Sequence, residues 1–237
     1  VNPLPIAGFT ALSACEGEPI SFIDTSIANG GTIVDWQWDF GDGNTSTLQN
    51  PMHFYNGVGN YLVTLIITNS NGCSDTTTNF IDYFPRPTAE FTFDTSCAGQ
   101  PITFIDASIG NGSTITGWDW DFGDGNTSAL QNPIHPYSNA GNFVVTLVIT
   151  NNSGCTDTVR HVVIADSLPE PLFVAPAVCF GDTTHFTDLS ISHGSAIVSW
   201  QWDFGDGNGS ILQNPSHLYN SAGLYSVSLI TVNANGC

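Results

Sequence analysis

The sequence contains no lysine and only two arginines, Arg86 and Arg160, against 21 acidic residues, which gives a formal net charge of −19 over 237 residues. Two cations cannot neutralise a run of phosphates, so this composition disfavours nucleic acid as a partner. The same acidity disfavours contact with anionic membranes. It favours a soluble surface that repels other copies unless salt or divalent cations screen it.

Long apolar runs and sustained helical periods are also missing from the sequence. A membrane-spanning helix needs about 18 or more consecutive apolar residues. We therefore expect no membrane insertion, and we expect any export signal to have been removed or to lie outside this segment. Without a helical period, a helical fold is disfavoured as well.

The sequence does contain a threefold repeat. WQWDFGDGN begins at Trp36 and returns as WDWDFGDGN at Trp118 and WQWDFGDGN at Trp200, at a constant step without insertion or deletion. A catalytic site would have to occur three times or lie where the copies differ. We predict the end of a preceding linker at 1–4 and domains at 5–84, 85–168 and 169–237, joined by short proline-stiffened linkers.

The third domain is predicted to lack its final strand, because residues 76–81 and 158–164 of the earlier copies have no counterpart after Cys237. The strand around Tyr225–Ile230 would then have an unpaired apolar edge. Two explanations remain open, namely continuation of the chain, which we favour, or a strand supplied by a neighbouring molecule.

Six cysteines follow the same repeat, and the spacing between the two cysteines of a copy is the same in all three copies. Domains of about 80 residues have marginal cores. A disulfide between the two cysteines of one copy would close the loop between them and stabilise that domain by roughly 4 kcal/mol. Fifteen connectivities exist for six cysteines, and the equal spacing favours one bridge per repeat. The predicted pairs are Cys15 with Cys73, Cys97 with Cys155, and Cys179 with Cys237.

Structural disulfides would indicate an oxidising location outside the cytoplasm, so we predict an extracellular or cell-surface protein. The alternative is three pairs of reduced core thiols in a cytosolic protein. The sequence has no CxxC pair and no Cys/His cluster that would favour zinc.

Short alternating segments predict strands in each copy, as in Ile20–Asp24, Trp36–Phe40 and Tyr61–Thr68 of the first. Glycine- and asparagine-rich turns separate them. Trp36, Trp38 and Phe40 share a parity and are predicted to face the core. Several short strands in about 80 residues favour an all-β fold of antiparallel β-sandwiches.

The WDFGDG motif carries a specific resemblance. Together with Gln49–Tyr55 and Gly59–Leu65 it resembles the polycystic-kidney-disease (PKD) domain, and matching stretches recur at 120–125 with 132–137 and at 202–207 with 214–219. The resemblance implies three tandem immunoglobulin-like sandwiches in a rod-like array. It also implies an origin in large secreted or surface proteins of Bacteroidota-like bacteria, where such domains act as spacers, adhesive modules or companions of secreted hydrolases.

The motif residues are read as structural. Aspartates of the glycine-rich turn could suggest acid/base chemistry or calcium, but side-chain oxygens that accept turn amide protons explain them best. Calcium remains the alternative, although the distal glutamate of a calcium-binding hand is missing; no other cofactor, catalytic residue or metal ligand is predicted. The structural motif comprises Trp38, Asp39, Gly41, Asp42, Gly43, Trp120, Asp121, Gly123, Asp124, Gly125, Trp202, Asp203, Gly205, Asp206 and Gly207.

His53, His135 and His217 also recur once per copy, and one imidazole per domain makes neither a zinc site nor a triad. We predict hydrogen-bonded histidines at the rim of each sandwich. If the organism resembles Bacteroidota, Thr76, Thr158 and Ser167 stand in sequences that resemble the O-glycosylation motif of that group.

These features predict a non-catalytic structural or adhesive segment of a longer secreted or cell-surface repeat protein, such as a filament or stalk. The predicted partners are copies of itself or neighbouring repeats, and extracellular glycan or protein. The alternative is an array of protein- or carbohydrate-binding spacer modules of a secreted hydrolase. An enzyme is disfavoured, because no nucleophile and base recur together.

Overall fold

A computed structural model describes residues 2–237, which fold into strands and turns. Within these residues there is no helix with the length and apolarity needed to cross a membrane. The all-β fold class predicted from the sequence is confirmed.

The first repeat contains eight strands, two of which are long. They are β1 (Phe9–Ala11), β2 (Ala14–Cys15), β3 (Ile20–Asp24), β4 (Ile33–Asp39), β5 (Thr45–Ser46), β6 (Met52–His53), β7 (Gly59–Asn69) and β8 (Ser74–Phe84). They form a three-stranded sheet of order β1-β3-β6 and a five-stranded sheet of order β2-β8-β7-β4-β5. All pairs are antiparallel except that of β2 with β8, which is parallel.

The second repeat has the same eight strands in the same two sheet orders. They are β9 (Phe91–Phe93), β10 (Ser96–Cys97), β11 (Pro101–Asp106), β12 (Ile115–Asp121), β13 (Thr127–Ser128), β14 (Ile134–Pro136), β15 (Gly141–Asn151) and β16 (Thr156–Asp166).

The third repeat forms fewer strands within the described residues. Its strands are β17 (Phe173–Val174), β18 (Thr184–His185), β19 (Thr187–Asp188), β20 (Ile197–Asp203), β21 (Gly209–Ser210), β22 (Ser216–His217) and β23 (Ser228–Asn233). Its larger sheet has three strands, in the order β21-β20-β23. Within the described residues this sheet has no strand equivalent to β8, and β23 is six residues long where β7 has eleven.

The chain forms two compact units. The first contains the chain up to Glu90 together with Ser108–Trp118 and Val148–Thr158, and the second contains Phe91–Ala107, Asp119–Leu147 and Val159–Cys237. The middle repeat thus contributes residues to both units.

Aromatic side chains fill the core between the two sheets of the first repeat. Trp38 is 1% exposed, and its ring packs edge-on against Phe9 at 5.2 Å and tilted against Phe22 at 5.6 Å. Its indole nitrogen donates to the carbonyl of Leu48 at 2.9 Å, which satisfies the polar end of a buried ring. The long strand β7 buries Val63 and alternate residues after it, as expected for a strand with one face on the core.

Gly41 occupies a position that only glycine fits. Its φ is +78°, and a Cβ at this residue would lie 2.6 Å from the backbone oxygen of Leu62. Gly43, two residues later, has φ +90°, but a Cβ added there would meet no atom of the described chain within 4 Å. The two glycines therefore separate the cost of backbone strain from the cost of a steric clash.

We expect Gly43→Ala to destabilise the first repeat by about 1 kcal/mol through positive φ alone. Gly41→Ala adds a clash with backbone, and we expect a loss of about 3 kcal/mol. Amide hydrogen exchange along β7 measures both losses within the intact chain. Equal losses for the two variants would contradict the assignment of a close backbone approach at Gly41.

Candidate functional site: the repeat junctions

The aspartates of the WDFGDG motif hold their own turn. Asp39 Oδ1 accepts a hydrogen bond from the Gly41 amide at 2.9 Å, and Asp42 Oδ1 accepts one from the Asn44 amide at 3.0 Å. The same bonds recur at the equivalent turns of the second and third repeats. These carboxylates therefore act as turn caps in every copy.

His53 locks this turn to the core. Its Nε2 lies 2.8 Å from Asp42 Oδ2, and its ring stacks on Phe40 with centroids 4.2 Å apart. The hydroxyl of Tyr55 donates to the Phe40 carbonyl at 3.0 Å. His135 and His217 make the equivalent bonds to Asp124 and Asp206, each at 2.8 Å.

These contacts keep the Asp42 carboxyl ionised. Burial raises its pKa, but hydrogen bonds from Asn44 and His53 outweigh that effect and leave the pKa below its ordinary value. Within residues 2–237, no three His, Cys, Asp or Glu side chains are grouped so that they could hold a metal ion. A carboxylate with both oxygens engaged and a low pKa is also a poor general base.

The tryptophans have structural partners as well. Trp36 is half-buried, and its indole nitrogen donates to Asp24 Oδ2 at 2.7 Å. Trp200 makes the equivalent bond to Asp188 at 2.7 Å. The motif that dominates the sequence is therefore scaffold, and the chemistry particular to this chain lies at its cysteines.

The disulfides join consecutive repeats. Cys15 of the first repeat is bonded to Cys155 of the second, and Cys97 of the second is bonded to Cys237 of the third; each pair is separated by 140 residues and has a Cα–Cα distance of 5.7 Å. Within the described range, Cys73 and Cys179 are free. The predicted pairing within each repeat, Cys15–Cys73, Cys97–Cys155 and Cys179–Cys237, is wrong.

Strand length is the physical reason. The parallel pairing of β2 with β8 puts Cys15 opposite Phe84, the last residue of β8, whereas Cys73 immediately precedes Ser74, the first. A strand of this length spans about 35 Å. A disulfide needs Cα atoms within about 7 Å, so the two cysteines of one repeat cannot meet.

An asparagine builds the turn that presents each second cysteine. Asn151 is 2% exposed, and its Oδ1 accepts hydrogen bonds from the amides of Ser153 at 3.0 Å and Cys155 at 2.9 Å. Asn69 and Asn233 form the same turn before Cys73 and Cys237. We call this structure the cysteine turn: 69–73, 151–155 and 233–237.

The first junction lies within the first compact unit. Asn151 Nδ2 donates to the carbonyl of Pro85 at 3.0 Å, and Asn111 Nδ2 donates to the carbonyl of Arg86 at 2.9 Å. The second repeat therefore holds the linker that precedes it. Arg86 also pairs with Glu18 at 3.2 Å, but both side chains are about half exposed and the pair adds little stability.

The second junction lies within the second unit and centres on a carboxylate. Asp166, the last residue of β16, accepts hydrogen bonds through Oδ2 from Asn235 Nδ2 at 2.5 Å and from Ser195 Oγ at 3.1 Å. Asn233 Nδ2 donates to the carbonyl of Ser167 at 3.1 Å, as Asn151 does to Pro85. The first junction has Phe84 at the position of Asp166. Each junction therefore has its own disulfide, but the residue at the end of the long strand is apolar in the first and charged in the second.

The three residues in glycosylation-like sequences lie near the junctions. Thr76 and Thr158 are exposed, near the start of β8 and β16, while Ser167 is half-buried and its hydroxyl donates to the His193 carbonyl at 2.6 Å. Modification at these residues stays a prediction.

The sandwich, the turn geometry that recurs in all three copies and the sequence motif agree with one family. The family model of the PKD domain matches residues 2–82, 85–165 and 168–237. The chain belongs to the PKD domain family. Its three PKD domains occur in tandem, as the sequence predicted.

Relatives include two bacterial enzymes that are much longer than this chain. The chain is 28% identical over 163 residues to the pre-pro-metalloprotease PrtV of Vibrio cholerae, a match that covers 67% of this chain and 17% of that protein. It is 43% identical over 82 residues to a microbial collagenase of Vibrio alginolyticus, covering 34% of this chain and 10% of that protein. This chain therefore corresponds to a small part of either enzyme.

Among solved structures, the PKD1 domain of Vibrio anguillarum Epp is 31% identical. That match covers 35% of this chain and 96% of that domain, with a TM-score of 0.33. The similarity corresponds to one of the three PKD domains.

The carboxylate of the second junction gives a pH dependence with no counterpart at the same position of the first junction, where Phe84 stands. Burial raises the pKa of Asp166, but hydrogen bonds from Asn235 and Ser195 more than offset it, so the folded pKa lies below the ordinary value of 3.8. The contribution of the ionised Asp166 to the stability of the second junction is fully present above pH 3.8, and it is lost as the pH falls through the folded pKa. Between pH 6 and pH 2.5 we expect the protection factor of the Cys237 amide to fall more than that of Cys155, as measured by hydrogen exchange.

Asp166→Asn is the matched control, because it keeps the shape of the side chain and removes the titration. In this variant we expect the Cys237 amide to be less protected at pH 6 and to show the same pH response as the Cys155 amide. A wild-type protection factor that responds equally at both junctions would count against the role of Asp166.

Proposed function

We propose that this chain is a non-catalytic, load-bearing segment of a longer secreted or cell-surface protein, in which disulfides fasten each PKD domain to the next. The observation that carries the proposal is the pairing of Cys15 with Cys155 and of Cys97 with Cys237. A bridge inside a domain would stabilise only that domain. A bridge across a junction resists separation of neighbouring domains.

Each junction has two covalent connections, the linker and the disulfide. A single proline-containing linker between domains ordinarily leaves them free to reorient, since interdomain contacts are small and polar. A second covalent connection restricts that hinge. Hydrogen bonds from Asn151 to Pro85 and from Asn233 to Ser167 hold the linker itself against the following domain.

The bridges also limit how far the chain can extend after unfolding. With both intact, the shortest covalent path from Cys15 to Cys237 crosses to Cys155, returns along the backbone to Cys97, and crosses to Cys237. Only the backbone between Cys97 and Cys155 then carries extension. With both bridges broken, the whole backbone from Cys15 to Cys237 carries it. At about 3.5 Å per residue these two paths are about 200 Å and about 780 Å long.

The two disulfides support the extracellular location that this role requires. Structural disulfides form and persist in oxidising compartments and are rare in the cytosol. The net charge of −19 with no lysine keeps separate copies apart at low ionic strength. We also propose that such segments form filaments, in which their partners are copies of the same chain or neighbouring repeats.

The collagenase relative favours a second function, that of a protein- or glycan-binding spacer within a secreted hydrolase. Its support is the 43% identity over 82 residues, about one domain of this chain. Retention of the intact chain on fibrillar collagen, with loss of retention when surface residues of one domain are changed, would favour this reading over a purely mechanical one.

Single-molecule extension tests the load-bearing proposal. The chain is pulled by handles at its two ends, in a Cys73→Ser, Cys179→Ser background that excludes other thiols. Removing one bridge by Cys15→Ser with Cys155→Ser leaves the backbone from Cys15 to Cys97 as the path to the second bridge. We expect a contour-length gain of about 85 Å for that variant and about 570 Å when both bridges are removed.

The gain in contour length when both bridges are removed is much larger than the sum of the two single gains. This difference distinguishes bridges between domains from independent bridges within each domain. Removal of Cys97 and Cys237 serves as the matched variant, because it leaves a backbone path of the same length, from Cys155 to Cys237. If bridges formed within each domain, this background would leave only the bridge from Cys97 to Cys155, and both paired variants and the fourfold variant would each gain about 200 Å. Equal gains in all three variants would refute the proposal.

A further inference from the structure

The outer face of the large sheet in the second domain carries two charged residues that the first domain lacks. Arg160 on β16 is exposed and has no ionic or hydrogen-bond partner among residues 2–237, and the first domain has Thr78 at its position. Asp119 on β12 is also exposed and without such a partner in the same range, and the first and third domains have Gln37 and Gln201 there. An unpaired cation and an unpaired anion therefore distinguish this face.

The strand register places the two signs of charge on different strands. In the first domain, Asp39 of β4 pairs with Thr64 of β7, which pairs with Thr78 of β8. β12, β15 and β16 are neighbours in the same order and, at the constant step of the repeat, have the same bounds. The equivalent row of residues across the second sheet is Asp121, Thr146 and Arg160. The acid thus lies on β12 and the arginine on β16, with β15 between them.

Apolar side chains surround the arginine on this face. Val144, Val162 and Ile164 are each more than half exposed. The first domain has Asp82 at the place of Ile164, where its Oδ1 accepts a hydrogen bond from Asn60 Nδ2 at 2.6 Å. The second domain therefore has an apolar surface with acids on one side and a base on the other. We call this surface the mixed face: Asp119, Asp121, Val144, Arg160, Val162 and Ile164.

We infer that the mixed face is a contact surface for a second copy of this chain, which lies against it with its own mixed face. A twofold axis that runs along the strands between the copies places β16 of each copy over β12 of the other. Arg160 of one copy then faces Asp119 and Asp121 of the second, and the reciprocal pair forms at the same time. This inference rests on the proposed function, in which copies of the chain are partners, and it names the surface through which they associate.

The distribution of charge favours this arrangement over others. A twofold axis across the strands would lay β16 over β16, whose outward residues Thr158, Val162 and Ile164 offer Arg160 no anion. A polyanionic glycan would gain the arginine but would be repelled by the aspartates on β12. A second copy in the parallel arrangement supplies the opposite charge on both sides.

The contact is weak and reversible. Facing sheets pack about 10 Å apart, and an arginine side chain spans most of that gap and can donate two parallel hydrogen bonds to a carboxylate. The mixed face is smaller than the roughly 800 Å² per partner of a stable complex. At physiological salt the screening length of about 8 Å limits repulsion between the other acidic residues of the two copies. Because the contact is isologous, it closes at two copies and pairs chains side by side.

An exchange of charge between copies tests the inference. Arg160→Glu and Asp119→Arg are made separately in the intact chain, and every sample carries Cys73→Ser and Cys179→Ser to exclude linkage through thiols. Asp119 is changed rather than Asp121, because Asp121 caps its own turn. Sedimentation equilibrium at physiological salt, with protein up to about 1 mM, measures the dissociation constant of a weak dimer.

We expect the parent chain to dimerise reversibly. Arg160→Glu should raise the dissociation constant at least about tenfold, because like charges then face each other in both pairs. Asp119→Arg should raise it as well, although this change makes the net charge less negative and would favour association if net charge alone mattered. A 1:1 mixture of the two variants should form mixed dimers more tightly than either variant dimerises alone, because each introduced charge then faces an opposite one.

The first domain offers matched control variants. Thr78→Glu and Gln37→Arg introduce the same residues at the equivalent positions of its outer face. Because these positions lie outside the mixed face, we expect the dissociation constant to change less than about threefold.

A parent chain that stays monomeric over this concentration range would overturn the inference. So would dimers that Arg160→Glu leaves unchanged, or a mixture that associates no more than its components. Monomeric protein that an anionic glycan retains through Arg160 would overturn it too and would assign the face to that partner. These outcomes are distinguishable from failure of the load-bearing proposal, because extension measurements follow single chains and report the two disulfides without a second copy.

Discussion

The organisation of this protein depends on the length of the last strand in each of the first two domains. β8 runs for eleven residues, with one cysteine just before its start and another fixed beside its end by the parallel pairing of β2. Because about 35 Å separates them, a disulfide cannot form within a domain. The cysteine turn of the following domain lies where the strand ends, and the bond crosses the junction.

The hydrogen bonds of each junction lie at the same strand end. A buried asparagine shapes the cysteine turn with its oxygen and holds the preceding linker with its nitrogen, at Asn151 and again at Asn233. The domain interior carries a separate network, in which Asp42, His53 and Phe40 fix the glycine-rich turn to the core. The first arrangement connects domains, and the second holds the glycine-rich turn of each domain on its core.

Much of the fold could be predicted from the sequence, because it is encoded locally. Alternation predicted a strand at Ile20–Asp24, where the structure has one with the same ends, and the β-branched run at Tyr61–Thr68 lies inside β7. The glycine-rich turn was predicted from residues that tolerate positive φ. Strands and turns of this kind depend on residues close together in the chain, so their patterns can be recognised in the sequence.

The disulfide pairing could not be predicted in the same way. The observed pairs and the pairs within a repeat differ in separation by one whole repeat, so equal spacing supports both equally. Only the three-dimensional position of Cys15 decides between them, and it depends on β2, a strand of two residues with no recognisable pattern. The carboxylate at Asp166 was missed for a similar reason, since its role requires Asn235, 69 residues away.

Disulfide mapping of the oxidised chain tests this account most directly. The protein is alkylated without reduction, digested with a protease that cleaves at aspartate, and the linked peptides are identified by mass spectrometry. We predict peptides that join Cys15 to Cys155 and Cys97 to Cys237. Peptides that join Cys15 to Cys73, or Cys97 to Cys155, would contradict it.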